Sequence, residues 1–226
     1  MIVKEILNEL QTLGNERTRK QQMNRGVSNS FGVSNKNMKP LAKEHKHNTN
    51  LAIELYNTRN YDAMYLAGMM INPKEITESI IEDWIFKADN YMIGDYIVSV
   101  SLAETPFALT TAKKWIMSNN DIQKSAGWST GTWVLGVNKD ENINVIDIRE
   151  LLTILEDTIL KESEHIQSTM LDFVVAVAVS YKPLHEEAYK LASTLGSLQH
   201  IVNAKAQIES AIEKNRIGFK RKNVRC

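Results

Sequence analysis

The chain has 226 residues and a mass of 25.7 kDa, with 43% hydrophobic and 24% charged residues and 27 basic side chains balanced by 27 acidic ones. Collagen-like and disordered chains are excluded by this composition, and the length holds one large domain or two small ones. No apolar run approaches the ~20 residues of a bilayer span. The start, Met1-Ile2-Val3-Lys4-Glu5, lacks a signal region, and the lone cysteine, Cys226, excludes an internal disulfide framework and a cysteine zinc site. A cytoplasmic protein with no membrane partner is therefore expected.

Hydrophobic spacing is helical in almost every segment, beginning with Ile2, Ile6, Leu7 and Leu10. Helices are predicted over 2–13, 15–25, 35–46, 49–58, 61–71, 75–88, 91–104, 106–118, 120–137, 145–161, 163–181, 183–195 and 204–214. The β-branched run Phe173–Val179 could suit a buried strand. It lies, however, in a longer stretch, from Ser163 to Tyr181, that has no turn residue, so a buried helix is the better reading. With ten glycines and no Asn-Gly or Asp-Gly pair, a sheet is not expected. Pro40, Pro73 and Pro106 are 33 residues apart, and Pro183 follows after 77. A period of roughly 33–40 residues is what stacked helix pairs produce, since one pair cannot bury both its faces. The expected fold is an all-α helical-repeat solenoid with a concave groove, formed by residues 1–226 as a single domain.

Charge is distributed unevenly along this pattern. Residues 1–50 carry nine Lys/Arg against four Asp/Glu, 51–104 three against nine, 105–140 four against two, 141–190 four against ten, and 191–226 seven against two. If the two basic ends converge, they present a positive stripe to a polyanion. The plain alternative is solvated helix faces and a basic tail.

Familiar catalytic motifs are missing: no phosphate-binding Gly-x-x-x-x-Gly-Lys loop, no dinucleotide fingerprint, no His-Glu-x-x-His and no nucleophile elbow. Neither a metal nor another cofactor is expected. Gly127, Gly131 and Gly136 read as close helix packing rather than a ligand loop. Two acids stand inside apolar helices, Asp95 in Tyr91–Val98 and Asp172 in Met170–Val174. Such carboxylates usually find a structural partner. The functional alternative is a carboxylate beside an aromatic wall, with Tyr91 one turn before Asp95, suited to stabilising a developing cation.

A set of segments in fixed order carries a resemblance. These are Asn29-Ser30-Phe31-Gly32-Val33-Ser34, Leu51–Tyr56, Asp62–Ala67, Asn72-Pro73, Asp89-Asn90-Tyr91 through Asp95, Thr105–Ala108, Ala126-Gly127-Trp128 and Ile217–Lys222. With them the chain resembles the AlkD-like family of bacterial DNA alkylation repair proteins, built from HEAT-like helical repeats. The resemblance implies a monomeric DNA N-glycosylase acting on duplex DNA that contains alkylated bases, with Asp95 as the catalytic carboxylate that helps break the N-glycosidic bond of cationic alkylpurines. Tyr91 stands where the family has one tryptophan, Lys124 near the position of its arginine, and Asp172 where it has the second tryptophan. These three are the implied substrate-binding residues, and Asp172 removes half of an aromatic clamp. DNA contacts are expected from Arg17, Arg19, Lys20 and Arg25, from Lys36, Lys39 and Lys43, and from the tail residues Arg216, Lys220, Arg221 and Lys222. Two further readings stay open: a catalytically silent module that binds distorted or branched DNA through backbone contacts, and a protein-interaction scaffold.

Overall fold

The computed structural model describes residues 2–195 and 203–214, and every element among them is helical. The chain divides into two compact units, one ending at Thr105 and the other beginning at Pro106. The first unit contains α1 (Ile2–Leu13), α2 (Glu16–Met23), α3 (Asn35–Glu44), α4 (Thr49–Asn57), α5 (Tyr61–Met70), α6 (Glu78–Lys87), α7 (Tyr91–Ile93) and α8 (Ser99–Ala103). The second contains α9 (Ala108–Ile116), α10 (Asp121–Val137), α11 (Val145–Thr158), α12 (Glu164–Ser180), α13 (His185–Leu195) and α14 (Ala204–Glu213).

Asparagine starts many of these helices. Asn15, Asn48, Asn60, Asn90, Asn120, Asn144 and Asn203 each accept a hydrogen bond from a backbone N–H of the first turn, as Ser34 and Thr77 do elsewhere. Such a cap satisfies an amide that has no acceptor within its own helix. Pro73 begins a short 3₁₀ turn, Pro73–Glu75, which delays α6 to Glu78, whereas Pro40 lies inside α3.

Burial follows the helical period. In α1 only Ile6 and Leu10, four apart, are buried. In α5 the buried set runs nearly all round: Tyr61, Asp62, Ala63, Met64, Leu66, Ala67, Gly68 and Met70. Helix α5 is therefore the core of the first unit, with α1, α3, α4 and α7 packed against it. In the second unit α10 and α12 pack on each other, with α9 against α10 and with α13 and α14 against α12. The run Phe173–Val179 is part of α12, where Phe173, Val174, Val177 and Ala178 face the core at helical spacing. Gly127 and Gly131 are packing positions as expected. A Cβ at Gly127 would lie 2.9 Å from the Ala112 carbonyl oxygen, and one at Gly131 would lie 2.9 Å from the Phe173 ring. Gly136 differs, having nothing within 4 Å of such an atom.

The repeat is legible in side-chain contacts. In the first unit Asn29 donates to the Arg59 carbonyl, Asn35 to Tyr65 and Lys87 to Asn57, each 30 residues away, and Tyr56 donates to the Trp84 carbonyl 28 residues on. In the second unit Lys113 pairs with Asp147 at a separation of 34, and Lys124 with Glu162, Arg149 with Glu187 and Tyr181 with the Ile143 carbonyl at 38. Several helices and loops thus bond to their counterparts about one helix pair away, which is the mark of a repeat protein.

Candidate nucleic-acid interface

Helix α2, Glu-Arg-Thr-Arg-Lys-Gln-Gln-Met, buries none of its residues, so apolar burial does not hold it in place. Hydrogen bonds do. The Asp62 carboxylate, fully buried at the start of α5, accepts from the backbone N–H groups of Phe31 (2.6 Å), Gly32 (3.2 Å) and Val33 (3.1 Å) and from the Ser30 hydroxyl (3.0 Å). The Gln22 side-chain amide reaches Asp62 and the Val33 carbonyl, and the Asn15 amide N–H donates to Gly32 at 3.0 Å. One buried charge therefore gathers the loop 29–34 and the end of α2 onto the core. Sequence reasoning missed Asp62, although Asn60-Tyr61-Asp62 carries its signal: an acid just after a cap, at the head of an apolar helix.

The anchored surface is cationic. Arg17, Arg19 and Lys20 on α2, Arg25 just beyond it, and Lys36, Lys39 and Lys43 on α3 are all exposed. Lys36, Lys39 and Lys43 fall at i, i+3 and i+7, away from the buried Met38, Leu41 and Ala42. Among the described residues only Arg19 of these seven has an acidic partner, Glu16, at 3.9 Å. The tail cations Arg216, Lys220, Arg221 and Lys222 lie outside the described residues.

Asp95 sits in an unusual turn. The expected continuous helix 91–104 is interrupted between α7 and α8 by a π turn, Gly94–Val98, in which the Ser99 N–H reaches back five residues to the Gly94 carbonyl, seconded by the Ser99 hydroxyl at 2.9 Å. Ile97 of this turn presses on Gly68 of α5, where a Cβ would stand 2.5 Å from the Ile97 methyl. A π turn widens the helix and re-aims its side chains, and such turns gather at functional sites. Asp95 is buried at 5% exposure, Tyr91 is half-buried, and the neighbouring Tyr96 is exposed.

In the second unit, Lys124 on α10 is 3.0 Å from both carboxylate oxygens of Glu162, with both side chains mostly shielded from solvent. Its charge is thus already met by a carboxylate of the same unit. Asp172 is exposed on α12, between the buried Leu171 and Phe173. The structure brings Tyr91 and Asp95 together in one helical segment, and Lys124 and Asp172 onto a packed helix pair. Among the described residues no group of three His, Cys, Asp or Glu could hold a metal ion, and no helix is long and apolar enough to cross a membrane.

The family described as DNA alkylation repair enzyme matches residues 6–187. The chain belongs to that family. The chain is also similar to two proteins of Listeria, each named as an uncharacterized protein. The Listeria innocua protein is 29% identical over 84% of each chain, and the Listeria monocytogenes protein is 28% identical over 90% of this chain and 91% of its own. A solved structure, described as a new family of proteins related to the HEAT-like repeat DNA glycosylases with affinity for branched DNA structures, shares 42% identity over 99% of both chains, with a TM-score of 0.92. The all-α, HEAT-like repeat fold of this family member agrees with that neighbour.

Proposed function

We propose that this protein binds distorted or branched DNA through phosphate contacts made by the α2–α3 surface. The observation that carries this reading is the set of seven exposed cations on α2, α3 and the stretch between them, six of them without an acidic partner among the described residues, with the end of α2 and the loop 30–33 tied to the core by Asp62. Cations not already paired can take phosphates without first giving up a carboxylate, and neutralising phosphates releases counterions. Two facts support recognition of DNA shape over base excision. Lys124, at the position near the family's arginine, is engaged with Glu162, and the second tryptophan position holds an exposed aspartate, Asp172. The affinity of the 42% identical neighbour for branched DNA supports the same choice of ligand.

A second reading rests on the buried Asp95 in its π turn, with Tyr91 at the head of the segment. In this reading the aromatic ring attracts the cationic base, the N-glycosidic bond breaks with its electron pair neutralising the departing alkylpurine, and the carboxylate stabilises the oxocarbenium-like sugar until water adds to it and gives up a proton. A cationic purine is already a good leaving group, so no general acid is required. Both readings are tested together. Affinity for a four-way junction and a matched linear duplex is measured across a salt series, and release of alkylpurine from methylated duplex is measured for wild type and Asp95→Asn. Tighter, salt-sensitive binding of the junction with no release supports the first reading. Release that falls at least ~10-fold in Asp95→Asn supports the second. Absence of DNA binding at low salt refutes both.

A further inference from the structure

Beside the cationic surface lies a group of tyrosines that neither the phosphate contacts nor the Asp95 chemistry uses. Tyr61 and Tyr65, one turn apart on α5, stand with ring centroids 6.0 Å apart at an angle of 48°. The Tyr65 hydroxyl accepts from the Asn35 side-chain amide at 2.8 Å, which leaves its own proton to donate. Among the described residues no acceptor takes that proton, and none takes the proton of Tyr61, whose residue is only 6% exposed. Burial of Tyr61 pushes its hydroxyl well above the ordinary phenol range, with Tyr65, Asp62 and Tyr96 adding to the rise and Arg25 opposing it. Burial raises Tyr65 too, with Asn35 opposing and Tyr96 adding. Both phenols thus remain proton donors throughout the physiological range, with the Arg25 guanidinium acting electrostatically on Tyr61 and Tyr96 acting on both. That third residue, Tyr96, belongs to the π turn and is 47% exposed.

Two phenol donors without acceptors, a neighbouring cation and an exposed aromatic ring make up the parts of a single-nucleotide site. The geometry points to a subsite for one unpaired nucleotide at a DNA branch: Tyr61, Tyr65 and Arg25 hold its phosphate, and the ring of Tyr96 stacks on its base. Phenol hydroxyls and a guanidinium suit phosphate oxygens, and aromatic stacking accepts any base because every base has a π face. Continuous duplex offers the phosphates without the unstacked base, so this site separates a branched from a linear molecule. The inference rests on the DNA-binding reading above and adds the part of the branched molecule that is recognised.

The test uses the full chain and a three-way junction with one unpaired 2-aminopurine at the branch, compared with the same junction lacking that nucleotide. Affinity is read by fluorescence anisotropy, and stacking by quenching of the 2-aminopurine. The expected results are that wild type prefers the junction with the unpaired base and quenches it, and that Tyr96→Ala loses the quenching and about 5- to 100-fold in affinity for that junction alone. Tyr96→Phe should keep both properties, while Tyr65→Phe, which keeps the ring and removes the hydroxyl, should weaken binding about 10-fold without abolishing the quenching. Undiminished preference and quenching in Tyr96→Ala overturn the inference, as does a wild type that binds both junctions equally, and in those cases DNA binding itself still stands. A wild type that binds neither junction removes the DNA-binding reading as well.

Discussion

Replacing Asp62 with alanine should be among the most damaging single changes in the first unit. The substitution leaves the backbone N–H groups of Phe31 (2.6 Å) and Val33 (3.1 Å) without an acceptor, while Gly32 keeps the Ser30 hydroxyl oxygen at 2.8 Å and Ser30 keeps Gln22. Each buried donor left without an acceptor costs about 1–3 kcal/mol. The two losses are not additive, because the loop can shift and admit water, and a net destabilisation of about 3–5 kcal/mol is expected, in line with removal of one partner from a buried charged network. Native domains have only ~5–15 kcal/mol in hand, so the change is large. Asp62→Asn keeps one carbonyl oxygen but turns an amide NH₂ toward donors, and should lose more than half as much. Urea unfolding followed by far-ultraviolet circular dichroism measures both. Because α2 buries nothing of its own, DNA affinity should fall with the anchor even in buffer where the variant stays folded. A loss below ~1 kcal/mol for Asp62→Ala would refute the claim that this carboxylate holds the loop.

Reversing Lys36, Lys39 and Lys43 to glutamate should weaken binding to all DNA forms alike and reduce the slope of log affinity against log salt by about three, readable from anisotropy titrations. Gly68→Ala should destabilise the protein by about 1–3 kcal/mol in a thermal melt, since the new methyl meets Ile97 at 2.5 Å and must displace the π turn. The hydrogen bonds from Arg149 hold the Glu187 carboxyl below its usual 4.5, so this pair contributes stability above the unfolded value and loses it as pH falls through the lower folded one. Carbon-detected NMR titration should show the Glu187 value returning toward 4.5 in Arg149→Ala.

Much of the helical framework was readable from local pattern. Helix α1 ends where its spacing of Ile6 and Leu10 says it should, and the β-branched run around Val175 resolved correctly because no turn residue bounds it. The proline period near 33 anticipated contacts between partners 28 to 38 residues apart. What local pattern did not reveal has a common cause in tertiary contact. Ile97 of the π turn meets Gly68, some thirty residues upstream, and nothing in Gly94-Asp95-Tyr96 alone signals the turn. The donors to Asp62 come from residues 30–33, and the partner of Lys124 lies 38 positions further on. Lys124 stands near the family's arginine position, and its ion pair with Glu162 cannot be read from that position in the sequence.

The regular reach of these cross-links has a consequence for how the chain acquires its structure during synthesis. A helix whose bonding partner lies 30 to 38 residues ahead can complete its contacts as soon as that short stretch has left the ribosome. The cross-links described above close over 28 to 40 residues, so loop-closure costs stay small and nearly equal from one step to the next. Assembly can then advance in increments of one helix pair, and dismantling can proceed the same way from a terminus inward. Amide exchange should accordingly fall into protection tiers that follow helix-pair order rather than a single global value.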